Sequence, residues 1–242
     1  SDWTEPTPVD YNPIFPDEQD PSLHENALNV EQSLNSSEAI INKYRNPILY
    51  GLAAIVIIVG GYFLYHHFVA VPHEQEAEQL MFKGQQYFAI DQYDKALNGD
   101  GQGYPGFISI ANDYSSTKSG NLAKLYAGLS YAQQNKYNEA VQYLEDFSQC
   151  KDAMISPAAL GALGNCYAEL NQLDKATETL EKAAKLADNN SLSPIYLIQA
   201  GEIYESQGKN DKALACYEQI KKKYVNSMQY SDIDKYIERV SK

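Results

Sequence analysis

The chain has 242 residues, 44% of them hydrophobic, and a net charge of −13. That length suits one large domain or two small ones. With no basic stripe anywhere in the chain, the charge argues against nucleic acid as a partner.

Residues 1–46 hold nine acids against two bases, Lys43 and Arg45, together with Pro6, Pro8, Pro13, Pro16 and Pro21. Such a segment buries too little apolar surface to offset the entropy of ordering. It reads as a disordered acidic tail with a regulatory or docking role. A short helix over residues 29–43, with Val30, Leu34, Ala39 and Ile41 loosely spaced, is the alternative.

Residues 48–65 read ILYGLAAIVIIVGGYFLY, 18 residues without a charge. About 20 apolar residues cross a hydrocarbon core, so a transmembrane helix is predicted over residues 47–71, with lipid around 48–69. Tyr44, Tyr50, Tyr62 and Tyr65 cluster toward its ends, as interfacial tyrosines do. The run starts nearly fifty residues in and no A-x-A site follows, so it reads as a signal anchor rather than a cleaved leader. Lys43 and Arg45 precede it and the next base is Lys83. By the positive-inside rule the tail is cytoplasmic and the remainder lies across the inner membrane, in the periplasm. His66, His67 and His73 lack a further ligand to complete a metal set and read as interfacial residues.

Residues 74–242 repeat one spacing four times: Gly, two residues, Tyr, eight residues, Ala. The instances are Gly84-Tyr87-Ala96, Gly128-Tyr131-Ala140, Gly164-Tyr167-Ala176 and Gly201-Tyr204-Ala213. Successive glycines are 44, 36 and 37 residues apart. A period in this range predicts stacked helical hairpins. The first helix of the second unit presents Leu122, Leu125, Tyr126, Leu129 and Ala132 at helical spacing, and its second helix presents Ala140, Tyr143, Leu144 and Phe147. Pro157 and Pro194 fall where a helix begins, and Gly208 in an inter-helix turn. Gly and Ala mark the close crossing of the two helices of a unit, and Tyr fills the space between units. The longer steps predict longer loops around residues 152–153 and 189–190. Between Ala96 and Gly128 lie about ten further residues. Their glycine run, residues 98–106, fails the calcium-loop test, because the twelfth position is Ser109, and it lacks the Lys of a phosphate loop. It reads as a flexible break in a helix that resumes at Phe107, Ile108 and Ala111. A last helix over residues 231–242, capped by Asp232, would cover the end of the stack with Ile233, Ile237 and Val240.

Cys150, Cys166 and Cys216 have no metal-site spacing. They read as buried reduced thiols, a Cys166–Cys216 bridge being the alternative. No His lies beyond His73, and no nucleophile motif, metal set or phosphate cradle occurs, so neither catalytic residue, metal nor cofactor is assigned and the chain reads as no enzyme.

Four signatures in one frame resemble the tetratricopeptide repeat (TPR) family over roughly residues 77–220. The fold class implied is an all-α helical-hairpin solenoid behind a single membrane span. The resemblance places a partner-binding groove on the first helix of each unit. Its positions here are Met81, Gln85 and Phe88; Leu122, Leu125, Leu129 and Gln133; Asn165, Ala168 and Glu169; Ile195, Ile198, Glu202 and Glu205. Leu125, Leu129 and Ile198 are expected to pack between repeats instead. The family's clamp for C-terminal carboxylates is matched only by Asn165, and Glu169, Glu202 and Glu205 oppose it in sign. A mixed apolar and acidic groove suits an amphipathic or unfolded basic segment. The order tail, span, repeats is similar to YfgM-like ancillary subunits of the bacterial Sec translocon. That likeness implies a membrane-anchored, chaperone-like scaffold in protein export, with SecYEG, a periplasmic prolyl isomerase and exported chains as partners. A structural scaffold in outer-membrane protein insertion or secretion machinery is the rival reading.

Overall fold

In the computed structural model the described residues are 21–242, the side chains of 21–24, 41 and 44 excepted. They fall into two units, one ending at Leu64 and the other running from Tyr65 to Lys242. The first contains helix α1, Pro21–Tyr65. The disordered tail expected over residues 1–46 is therefore corrected from Pro21 onward, and residues 1–20 lie outside the described residues. Prolines are dense before position 22, while Ala, Leu, Glu and Gln recur after it, so helix propensity rises there. Pro47 sits inside α1, where it removes one intrahelical bond. The apolar run of α1 is long and apolar enough to cross a membrane, and none of it is buried.

The second unit opens with a π turn, His66–Ala70, and is otherwise helical with no strand among the described residues. Its helices are α2 (Val71–Ala89), α3 (Tyr93–Asn98), α4 (Phe107–Asp113), α5 (Lys118–Gln133), α6 (Tyr137–Asp146), α7 (Ile155–Glu169), α8 (Leu173–Ala187), α9 (Ser193–Ser206), α10 (Asn210–Lys223) and α11 (Ile233–Val240). Pairs α5/α6, α7/α8 and α9/α10 are the predicted hairpins, and α2 pairs with a second helix split into α3 and α4.

The signature has the predicted packing cause. Ala96, Ala140, Ala176 and Ala213 are fully buried. A Cβ added to Gly128 would stand 2.6 Å from Leu144 Cγ and 3.2 Å from the Ala140 carbonyl oxygen. At Gly164 the same atom would meet Leu180 Cγ at 2.7 Å, and at Gly201 it would meet Tyr217 Cζ at 2.6 Å. In these three units the facing residue lies one turn beyond the signature Ala. In the first unit that position is Asp100, already outside α3, and Phe107 from α4 closes on Gly84 instead.

Each hairpin turns through one left-handed residue seven positions after the signature Gly: Asp91 (φ 60°), Asn135 (φ 59°), Asn171 (φ 57°) and Gly208 (φ 70°). Asn, Asp and Gly are the residues that tolerate this conformation. The following amide closes the helix by reaching back five residues, as Lys136 N–H does to the Tyr131 carbonyl (2.9 Å) and Gln172 N–H to that of Tyr167 (2.8 Å).

The loops predicted at 152–153 and 189–190 are present and serve as caps. The Asp152 carboxylate accepts from the N–H groups of Met154 (2.9 Å) and Ile155, and Asn189 Oδ1 accepts from Leu192 N–H (2.8 Å). Asn189 Nδ2 also donates to the Ala153 carbonyl (2.9 Å), tying one loop to the next. Helix α5 has two caps. Thr117 Oγ1 accepts from Gly120 N–H (2.9 Å), and Glu74, on α2, accepts from the N–H groups of Lys118 (2.7 Å) and Ser119 (3.0 Å) and from the Ser119 hydroxyl.

The glycine-rich break is held in place, which corrects the expectation of a flexible segment. Tyr104 is 2% exposed and its hydroxyl donates to the Ala96 carbonyl at 2.7 Å. Asp100, its side chain 4% exposed, accepts from Tyr87 Oη (2.6 Å), from the N–H groups of Gln102 and Tyr104, and from Lys83 Nζ (2.8 Å). At the other end Ile233 and Val240 of α11 are buried against Tyr217 and Ile220, as predicted. Asp232 does not cap α11. It ends a 3₁₀ turn, Met228–Asp232, that already leads into the helix, and it pairs with Lys235 (2.6 Å).

Candidate functional site

The candidate site is the face shared by the first helices of the hairpins, α2, α5, α7 and α9. Its inner rows serve the core. Leu125 is 5% exposed, and Leu129 and Ile198 are half-buried against core clusters, as the packing alternative for these three anticipates. Met81, 3% exposed, lies in the cluster of Tyr104 and Phe107, so it presents no surface to a partner and drops out of the groove. Phe88 is half-buried, edge-on to Tyr93 and to Tyr126. Gln85 and Asn165 are half-buried, Gln133, Glu169 and Glu202 exposed, and Leu122 and Ala168 half-buried.

Glu205 is engaged from within. Its carboxylate accepts two bonds from the Arg239 guanidinium (2.7 and 2.9 Å) and one from the Tyr217 hydroxyl. The Arg239 charge holds the Glu205 carboxyl below its ordinary range. Helix α11 thereby occupies the outermost groove position.

Beside it lies a pocket of about 400 Å³. Ile195, Ile198 and Gln199 of α9 form one wall, and Met228, Gln229, Asp232 and Tyr236 the other. Gln199 Oε1 is buried, with no hydrogen-bond partner among the described residues. Ile195 and Met228 are exposed, Met228 at 89%. Glu202 stands one helical turn from Ile198 on the same face and is also exposed. The pocket thus offers apolar walls, the side chains of Gln199 and Gln229 and an acidic margin. Ile195 and Glu202 were named as groove positions from the family, and Ile198 as a residue packing between repeats. Gln199 and Met228 were not named, because one falls between the family's groove positions and the other beyond the last repeat.

Two further regularities carry no signal in the Gly-Tyr-Ala spacing. The signature Tyr of one unit bonds an acid on the second helix of the unit before: Tyr167 Oη donates to Glu145 and Tyr204 Oη to Glu181 (2.7 Å). Burial, with the neighbouring carboxylate, pushes both phenols up to about 12, so they stay donors. The lysine preceding the signature Ala lies over the same ring, Lys95 on Tyr87, Lys175 on Tyr167 and Lys212 on Tyr204. Cys166 and Cys216 are buried and free, which removes the bridge, whereas Cys150 is exposed, against expectation. Burial pushes the Cys166 thiol up to about 11 and that of Cys216 up to about 12.

Comparison with known proteins supports the fold. Nearly identical TPR-like repeats of a putative kinesin light chain from Podospora anserina superpose with a TM-score of 0.53 at 15% identity. The match covers 69% of this chain and 86% of that one, and it shows the fold. A search of curated proteins returns no match. The model of the tetratricopeptide repeat-like domain matches residues 40–233, most of the chain. TPR stacks are protein-interaction scaffolds, typically without catalysis of their own, and this chain belongs to the tetratricopeptide repeat-like family.

Proposed function

We propose that the protein is a membrane-anchored TPR scaffold that attends protein export, receiving apolar and basic segments of exported chains in the α9/α11 pocket. The observation that carries the reading is the pocket itself, with apolar walls from Ile195, Ile198 and Met228, the Gln199 side chain among them and Glu202 one helical turn from Ile198. An amphipathic or extended segment supplies an apolar side chain for the walls and a Lys or Arg for Glu202. The wholly exposed apolar run of α1 supports the anchor, with the flanking Lys43 and Arg45 on the cytoplasmic side and the repeats in the periplasm. The likeness to YfgM-like subunits supports a place beside the Sec translocon and a periplasmic prolyl isomerase.

A photo-crosslinking residue at Ile195, in the full chain in its own membranes, tests this. Adducts with SecY and with newly exported chains, reduced at least about fivefold by Gln199→Leu, are the expected result. A stable stoichiometric complex that lacks SecY would instead identify a structural scaffold of another envelope assembly. Resistance to alkaline extraction checks the anchor.

A further inference from the structure

Ahead of its apolar run, α1 carries a second period. Positions 23, 27, 30, 34, 37, 41, 44 and 48 advance by alternating steps of four and three. Seven of these eight are apolar, Ser37 being the exception, against three of the eighteen positions between them. Glu25, Glu31, Glu38, Lys43 and Arg45, the charged residues of the segment, all fall off the line. A seven-residue repeat is the spacing of helices that supercoil around one another, whereas a helix lying on a globular core keeps 3.6 residues per turn.

The backbone is helical across the whole repeat. Ala27, Val30, Leu34, Ser37 and Ile48, the line's described side chains, are all exposed, Val30 and Leu34 at 58% each. Helices draw most of their stability from packing an apolar stripe, and no described residue of its own unit packs on this one. We propose that α1 pairs with α1 of a second copy of this chain, forming a parallel two-stranded coiled coil over residues 23–48.

In this register Ala27, Leu34, Ile41 and Ile48 take the a positions and Leu23, Val30, Ser37 and Tyr44 the d positions. Isoleucine at two of the four a positions, Ile41 and Ile48, with Leu23 at d, follows the two-stranded preference. Charge sets the direction. Parallel pairing brings Asn26 to Glu31, Ser33 to Glu38 and Ile40 to Arg45 of the second copy, with no like charges opposed. Antiparallel pairing sets Glu31 against Glu38 of the second copy, which is repulsive. The pairing is independent of the groove reading, so either can fail alone.

The test uses the full chain in detergent with Cys150→Ser, the two buried thiols left in place. Single cysteines are introduced on the line (Ala27→Cys, Leu34→Cys) and on the opposite side of the helix (Gln32→Cys, Ala39→Cys), then oxidised mildly. Disulfide-linked dimer at 27 and 34, at least about tenfold above 32 and 39, is expected. Density-matched sedimentation should give two copies, and Val30→Lys with Leu34→Lys should give one while the melting of the repeat stack stays unchanged. Equal linkage on both sides, a single copy before mutation, or three or more copies would each overturn the proposal.

Discussion

Asn135 and Asn171 occupy the left-handed corner of their hairpins, where Asp91 and Gly208 stand in the other two. Replacing either Asn by Gly should leave the melting temperature unchanged or raise it. Replacing it by Val should cost about 1–2 kcal/mol, measured by urea unfolding. Ala176 is fully buried where α7 crosses α8. Ala176→Leu should destabilise by about 1–3 kcal/mol, and an unchanged unfolding midpoint would disprove the crossing. The small residues at this crossing were readable because each recurs four times at one spacing. The corner residue was readable only at Gly208, because Asp and Asn pass for ordinary loop residues. Asp100 was unreadable as an anchor, since its partners Lys83 and Tyr87 come from another helix. The Lys83 ammonium and the Tyr87 hydroxyl hold its carboxyl well below the ordinary carboxylate value. A folded value lowered in this way contributes stability above the unfolded value and loses it as pH falls below about 4. Asp100→Asn should therefore be less stable at neutral pH and show a shallower decline on acidification, with faster amide exchange over residues 99–106.

At the scale of elements, α5 is capped from 44 residues away. Partial burial raises the Glu74 carboxyl, but the Ser119 hydroxyl and the Lys118 and Ser119 N–H groups outweigh it, and the net shift is downward. Glu74→Ala should cost about 1 kcal/mol of helix-cap energy, seen as earlier melting of α5 by amide exchange. Truncation before Ile233 removes Ile233, Ile237 and Val240 from Tyr217 and Ile220. At roughly 2 kcal/mol for a buried apolar side chain, the melting temperature should fall by at least about 5 °C. Hairpins α5/α6, α7/α8 and α9/α10 were legible because local pattern and long-range packing agree. Helix α1 was misjudged before residue 47 because composition was weighed over the whole tail, and its acids and prolines masked the helix formers after Pro21. The remote cap from Glu74 left no local trace at all.

For the whole molecule, most of the architecture could be read from periodicity and the family, while the pocket could not. A groove assigned by family position assumes that each first helix faces a partner. Here Met81 is drawn into the core by the inserted loop, and Arg239 of α11 takes Glu205. The open part of the face thereby loses a position at each end, while Gln133, Glu169, Ile195 and Glu202 remain exposed. Both departures arise outside the repeats, in the segments that repeat spacing does not describe.

The three sulfhydryls differ in a way that makes the protein its own topology reporter. Two are sealed in the interior and stay protonated at physiological pH, while Cys150 stands in water just ahead of α7. A bulky maleimide too polar to permeate lipid should therefore add once to the unmodified protein, and only from the compartment that holds the stack. Labelling of intact spheroplasts without lysis would place that compartment outside the cytoplasm; labelling only after lysis would place it inside.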